Sequence, residues 1–286
     1  MIIKELNRVN DELIREVSKV QAVCNEHDKL QGEIEFDTSL NFNKDMKSIF
    51  LLYEDKKLVS VLSIFAPTSN EGEITAVTLP EYRQRGYFKK LYEKAVEELK
   101  NYNVKDVLFV CESESTIGKE VITKLQGKYE FTEYSMKYCN EATEDINSIY
   151  NTKLRIATNE DLEELICMSQ SIFNDEYADA RSMIEGSFAS EARVQYIAIF
   201  DNKPVGSATV FSDKEQSTIY ALGILPEYQG KGIGREFLTL LLKEPLKDKQ
   251  NIRLEVNSVN ARAFNLYKSM NFKVEVAFDY YRKSIN

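Results

Sequence analysis

The chain has no tryptophan, one histidine, four cysteines and five prolines in 286 residues, and each shortage removes a class of function. With His27 alone, in a helical segment and read as a surface residue, a histidine triad or a multi-histidine metal site has no material, and no metal is expected. Cys24, Cys111, Cys139 and Cys167 are far apart without a CxxC pair. That spacing points to reduced thiols in the cytoplasm, not to a disulfide or zinc framework. Few prolines and no low-complexity tract leave nothing to suggest disorder, so the whole chain is expected to fold. The amino-terminal MIIKELNRVNDELIREV is interrupted by charges every two or three residues. It is neither a signal peptide nor a membrane span, and it reads as a surface amphipathic helix. Positive charge is also in deficit, with 37 Lys and Arg against 46 Asp and Glu for a net charge of −9. This argues against nucleic acid or anionic membranes as partners, while a local basic cluster still suits one small phosphorylated ligand.

What the chain does have is length and repetition. It is about twice the common domain size, so two ordinary domains are the better expectation. LPEY occurs at 79–82 and again at 225–228, an offset of 146 residues. Holding that offset, Gly86 falls on Gly232, and FKKLYEKAVEEL (Phe88, Leu91, Ala95, Val96, Leu99) overlays REFLTLLLK. VLFVCES then overlays RLEVNS, with Leu108 and Val110 on Leu254 and Val256. Each half reads strand, glycine-bearing elbow, helix, strand, helix, strand, the alternation of an α/β (α+β) sheet with helices on its faces. The polar stretch CNEATEDINSIYNTK, after the strand EFTEYSMKY, places the boundary between domains 1–142 and 153–286. KLRIATNEDLEELICMSQSIF then starts afresh as a short strand and a helix N-capped at Thr158 or Asn159.

LPEYQGKGIG stands between the strand-like STIYALGI and the helix-like REFLTLLLK. A glycine-rich turn in that context presents unpaired N–H groups and the positive end of a helix dipole, which together make an anion site. It lacks the spacing of GxGxxG and of GxxxxGK[ST]. It does fit Q/R-x-x-G-x-G/A, as Gln229, Gly230, Lys231, Gly232, Ile233 and Gly234. Downstream, LEVNSVNARAFNLYKSMNF (254–272) is similar to L-x-V-x-x-x-N-x-x-A-x-x-L-Y-x-x-x-G-F. On these two motifs, which cover most of residues 217–272, the chain resembles a tandem member of the GCN5-related N-acetyltransferase (GNAT) superfamily.

The resemblance implies two domains, each with a mixed, mostly antiparallel central sheet flanked by helices, and acetyl-coenzyme A as co-substrate. It implies that the elbow N–H groups hold the pyrophosphate, that the preceding strand splays from its neighbour to admit the pantetheine arm, and that the Ile224 N–H polarises the thioester carbonyl. Lys231 is either a phosphate contact or a solvated loop lysine. Asn271 replaces the usual glycine after the last helix, and asparagine tolerates the left-handed conformation of such a stop.

Acetyl transfer to an amine needs a base, donors for the developing oxyanion and an acid for the departing thiolate. By spacing alone Tyr267 reads as a core aromatic in the stripe Ala263, Leu266, Tyr267, Met270; the surrounding motif reverses that, because it matches the family tyrosine that serves the coenzyme A sulfur. Glu255 alternates with Leu254 and Val256, so it shares a polar face with Arg253 and Asn257. It is either the base, as in the ribosomal-protein alanine N-acetyltransferases that the LEV-to-Tyr spacing resembles, or a partner for Arg253. Asn260 is a cofactor-arm contact, the N-cap of the helix from Ala261, or both.

In the first half the elbow keeps Arg83, Arg85 and Gly86, a possible second cofactor site, but Phe88 replaces the last small residue. The overlay sets Phe109, Glu114 and Val121 opposite Glu255, Asn260 and Tyr267, which implies a catalytically degenerate domain, with Glu73 left as a base of a different chemistry. The leading expectation is an acetyl-coenzyme A-dependent N-acetyltransferase acting from the second domain on a primary amine of a small molecule by direct attack, as monomer or homodimer. The alternatives are a protein N-terminal acetyltransferase and a coenzyme A-binding sensor or interaction module without turnover.

Overall fold

The computed structural model describes residues 1–34, 36, 38–139, 150–214 and 216–285. The chain divides into two compact units, one made of Met1–Glu133 with Val276–Asn286 and the other of Tyr134–Glu275.

The first unit runs β1 (Ile2–Leu6), α1 (Asp11–Asp28), β2 (Ile49–Glu54), β3 (Lys57–Phe65), β4 (Glu71–Thr78), α2 (Tyr87–Asn101), β5 (Asp106–Glu112), α3 (Thr116–Lys124) and the start of β6 (Lys128–Tyr138). Its strands lie in the order β1-β2-β3-β4-β5, followed by residues 276–284 of β12 (Phe272–Ser284). All these pairs are antiparallel except β4 with β5. Ile49, Phe50, Leu51 and Leu52 are buried on both faces of β2, the signature of a strand covered by helices on each side. From α2 comes the stripe Leu91, Ala95, Leu99, fully buried at a four-residue spacing. Residues 2–6 do not extend the first helix, as the charge pattern suggests, but form an edge strand on β2, with Ile3 opposite Leu52. The helix begins at Asp11, where Asn10 Oδ1 accepts from Leu13 N–H at 2.9 Å.

The second unit repeats the plan with β7 (Thr152–Ile156), α4 (Leu162–Phe173), α5 (Tyr177–Phe188), β8 (Arg193–Phe200), β9 (Lys203–Ser212), β10 (Ser217–Ile224), α6 (Ile233–Lys243), β11 (Ile252–Asn257) and α7 (Ala261–Ser269). The order is β7-β8-β9-β10-β11 and then residues 134–138 of β6, with β10 and β11 parallel. Thr158 is the cap ahead of α4, in a capping box with Asp161. Asn271 ends α7 at φ 65°, the left-handed stop its sequence position calls for.

The compact units therefore are not the consecutive spans 1–142 and 153–286. Each unit takes its closing strand from the other half of the chain: β12 pairs β5 through Phe278–Ser284, and β6 lies beside β11. Alternation along a strand says which residues face a core but not which sheet edge the strand joins. Side chains make the assignment. Asp279 on β12 accepts from Ser113 and Thr132 at 2.7 Å each and pairs with Lys119 at 2.8 Å, and Arg282 pairs with Glu71 and Asp106. Burial would raise the Asp279 carboxyl, but these donors hold it below the usual carboxylate range. On β6, Tyr134 packs on Phe264 and Tyr138 on Phe272. Of the boundary stretch 139–153, residues 140–149 lie outside the described residues.

Two glycines set how closely β10 is held. A β-carbon on Gly206 would lie 2.5 Å from the Gly223 carbonyl oxygen, and one on Gly223 would overlap Ile172 of α4. Gly206→Ala should cost about 1–3 kcal/mol, because its obstacle is backbone and cannot rotate away. A urea midpoint equal to that of the natural protein would show that the two strands separate without cost.

Candidate active site

The two elbows share one backbone. LPEY is the same turn twice: a 3-10 turn at Pro80–Tyr82 and at Pro226–Tyr228, with Tyr82 N–H to Leu79 O and Tyr228 N–H to Leu225 O both at 2.9 Å. Proline fits the first position of each because its fixed φ suits a helical start and its missing N–H is not needed there. Gly86 and Gly232 then adopt φ of 77° and 86° and lead into α2 and α6. The residue two before each is also left-handed, Gly230 at φ 79° but Gln84 at φ 61° in the first unit, where a side chain accepts a conformation that favours glycine.

The first elbow side chain closes the strand it follows. Gln229 Nε2 donates to Ile224 O at 2.9 Å, and Arg83 Nε donates to Thr78 O at 3.0 Å. This fixes a gap. β10 pairs with β11 over Ser217–Ile219 and then parts from it, while toward β9 its register slips between Tyr220 and Gly223, with Ala221 at φ 49°. Leu225 N–H goes to Val205 O on the β9 side, so alternation turns the N–H and C=O of Ile224 to the other edge, into the gap. On α6 the first intrahelical donor is Arg235 N–H, to Gly232 O at 3.0 Å, which leaves the N–H groups of Gly232, Ile233 and Gly234 ahead of the ladder. A β-carbon on Gly234 would meet Ile224 and Leu266 at 3.6 and 3.7 Å, so a methyl fits there and a ring does not. Splay, aligned donors and a small sixth residue fit the phosphate and pantetheine parts of acetyl-coenzyme A.

Tyr267, on α7, is 5% exposed; it packs on Phe272 at 6.1 Å between ring centres, and its hydroxyl has no hydrogen-bond partner among the described residues. Burial pushes its pKa up to about 12, so the phenol is a donor across the physiological range. Glu255 is exposed on β11 between the buried Leu254 and Val256. Arg253, on the same face as Glu255, is engaged by Glu275 at 2.8 Å and Gln216 at 2.6 Å. Asn260 is the N-cap of α7, its Oδ1 accepting from Ala263 N–H at 3.1 Å. Lys231 lies over the Tyr228 ring, 4.8 Å from its centre.

The first unit puts the same positions to other use. Arg83 is clamped by Asp28 at 2.8 and 2.6 Å, which holds that carboxyl below its usual range, and Arg85 pairs with Glu54 over the Tyr82 ring. Phe88 stacks on Tyr92, which packs on the buried Phe109, the residue opposite Glu255. Glu73 sits on β4, which pairs β5 from Glu71 to Ile74 and β3 without a slip from Glu73 to Thr78.

Two features were beyond the sequence motifs. The bulge at Ala221 left no residue signal, since alanine rarely marks a left-handed position. Arg262 lies thirty-odd residues beyond the elbow, and its Nη1 donates to Gln229 Oε1 at 2.8 Å. Its place in the first turn of α7 gives it away only once α7 is known to stand against the elbow.

The Acetyltransferase (GNAT) family model matches residues 13–125 and 159–272, one copy in each half. A ribosomal protein bS18 alanine N-acetyltransferase of Haemophilus influenzae is 35% identical over 88 residues, 30% of this chain and 59% of that protein. The chain thus matches less than two thirds of that relative's length. In fold it resembles a GCN5-related N-acetyltransferase from Sphaerobacter thermophilus, with a TM-score of 0.75 at 14% identity over 100% of this chain and 96% of that one. A tandem GNAT protein from the clavulanic acid biosynthesis pathway gives a TM-score of 0.72 at 10% identity, over 100% and 98%.

In tyrosine-labelled protein, the ring-carbon resonance that disappears in Tyr267→Phe should titrate near 12. A midpoint near 10, the value of free tyrosine, would mean that water reaches the hydroxyl freely.

Proposed function

With the chain a member of the acetyltransferase (GNAT) family in both halves, we propose that its second unit transfers an acetyl group from acetyl-coenzyme A to a primary amine of a small molecule. The observation that carries this reading is the contrast between two like elbows. In the second unit β10 parts from β11 after Ile219, and the small Gly234 stands at the helix start with room for a methyl against Ile224 and Leu266. In the first, β4 likewise parts from β5 after Ile74, but Phe88 stands where Gly234 does and stacks on Tyr92, which packs on Phe109.

The residues then take these roles. Gly230, Gly232, Ile233 and Gly234 offer N–H groups to the pyrophosphate, with Gln229 holding the turn and Asn260 fixing α7. When bound, acetyl-coenzyme A supplies a thioester whose carbonyl carbon accepts the amine as the carbon–sulfur bond breaks. Ile224 N–H donates to the carbonyl oxygen as it gains charge. Glu255 takes the proton that the amine loses, and Tyr267 gives its proton to the departing sulfur. Direct attack is preferred because no cysteine lies in either motif of the second unit. The first half, 1–142 in sequence, is a supporting domain without its own turnover, its Arg83 and Arg85 committed to carboxylates. A second reading, a protein N-terminus as acceptor, is favoured by the 88-residue match to an enzyme named for acetylating alanine on a ribosomal protein.

Tyr267→Phe should lower kcat by about 10²-fold or more, the range for losing a positioned acid, with coenzyme A affinity little changed. Turnover equal to that of the natural protein would remove Tyr267 from the chemistry, and a protein that binds coenzyme A but acetylates nothing in an amine panel would be the sensor instead. An acetyl mass shift on an alanine-ended ribosomal peptide, with none on small amines, would move the acceptor to protein N-termini. Calorimetric titration with coenzyme A should give one site per chain; two equivalent sites would overturn the assignment of the first half as a supporting domain only.

A further inference from the structure

The two elbows share a backbone but not a charge balance. In the first unit three cations of the turn and the helix start have carboxylates, Arg83 with Asp28, Arg85 with Glu54 and Lys89 with Glu93, while Lys90 rests near Met1 and the Tyr87 ring. The offset of 146 places Lys231 on Arg85 and Arg235 on Lys89, and sets Phe200 and Thr239 where Glu54 and Glu93 stand. The neutralising groups are gone. Lys231 rests on Tyr228, Arg235 donates to Ser269 Oγ at 2.7 Å, and neither is in an ion pair among the described residues.

A third cation enters from outside the motif. Arg262, exposed on the first turn of α7, bonds Gln229 through Nη1, and its Nη2 stands 3.5 Å from where a β-carbon would sit on Gly230. It too has no carboxylate partner among the described residues. Its tie to Gln229, which in turn holds Ile224 O, fixes the guanidinium against the turn instead of leaving it to sweep through solvent. In a chain of net charge −9, Arg262 against the left-handed glycine turn, with Lys231 in the turn and Arg235 in the first turn of α6, is a local excess of positive charge.

We propose that Arg262 is a phosphate-binding residue of the second elbow, acting with Lys231 and Arg235 on the phosphate groups of coenzyme A. This rests on the second unit being the one that takes acetyl-coenzyme A. A guanidinium with one edge anchored and the other open is suited to a phosphate, because its planar fork matches two oxygens at once.

The test is calorimetry with coenzyme A, and with adenosine 3′-phosphate 5′-diphosphate as a probe that carries the phosphates without the pantetheine arm. Arg262→Ala should weaken both by roughly tenfold to a hundredfold, as expected for a lost hydrogen bond between charged groups. Arg262→Lys should recover part of the loss, and the salt dependence of binding should be shallower in the alanine variant than in the natural protein. Unchanged affinity in Arg262→Ala would overturn the assignment. So would a loss with unchanged salt dependence, which would show that Arg262 acts by shaping the turn alone. A natural protein that binds neither ligand would overturn both the assignment and the reading of function beneath it.

Discussion

The second unit turns on one constraint, that β10 has to satisfy its backbone after it parts from β11 at Ile219. A buried carbonyl or N–H without a partner costs on the order of 1–3 kcal/mol, so a strand leaves a sheet only where something else replaces the ladder. Here Gln229 takes Ile224 O, and Val205 O takes Leu225 N–H. The elbow is thus the lock of the gap. The glycines let the chain turn tightly enough for Gln229 to reach back.

The first unit puts different side chains on the same turn. Arg83 makes the same closure, Gln84 accepts a left-handed conformation, and Asp28 neutralises the guanidinium that remains. Phe88 stacks on Tyr92, which packs at a tilt on Phe109, with Tyr92 and Phe109 buried. Buried apolar side chains of that size each contribute roughly 1.5–3 kcal/mol to stability, so these rings help to hold the first unit together. Divergence between the two lies in a handful of side chains.

What could be read from residue order follows a physical pattern. Features held in one short stretch were legible: the glycine elbow, the Asn260 cap, the exposed Glu255 between buried Leu254 and Val256, and the left-handed Asn271. Features that depend on a choice between near-equal alternatives were not. Residues 2–6 carry charges at intervals that suit a helix face, yet an unpaired edge of β2 made them a strand. The partners of β6 and β12 are a choice of the same kind, settled by Asp279 and Arg282 on one side and by Tyr134 and Tyr138 on the other.

The sequence by itself determined the duplication, the family and the two motifs, because a turn with left-handed positions and a helix start is encoded locally in the residues that form it. Tertiary structure alone decided which strand closes each unit, where β10 bulges, that Arg262 stands over Gln229, and that Arg83 and Arg85 meet carboxylates while, among the described residues, Lys231 and Arg262 do not. Those outcomes depend on residues far apart in the chain, and their pairing is selected by complementary burial and charge that no local pattern records.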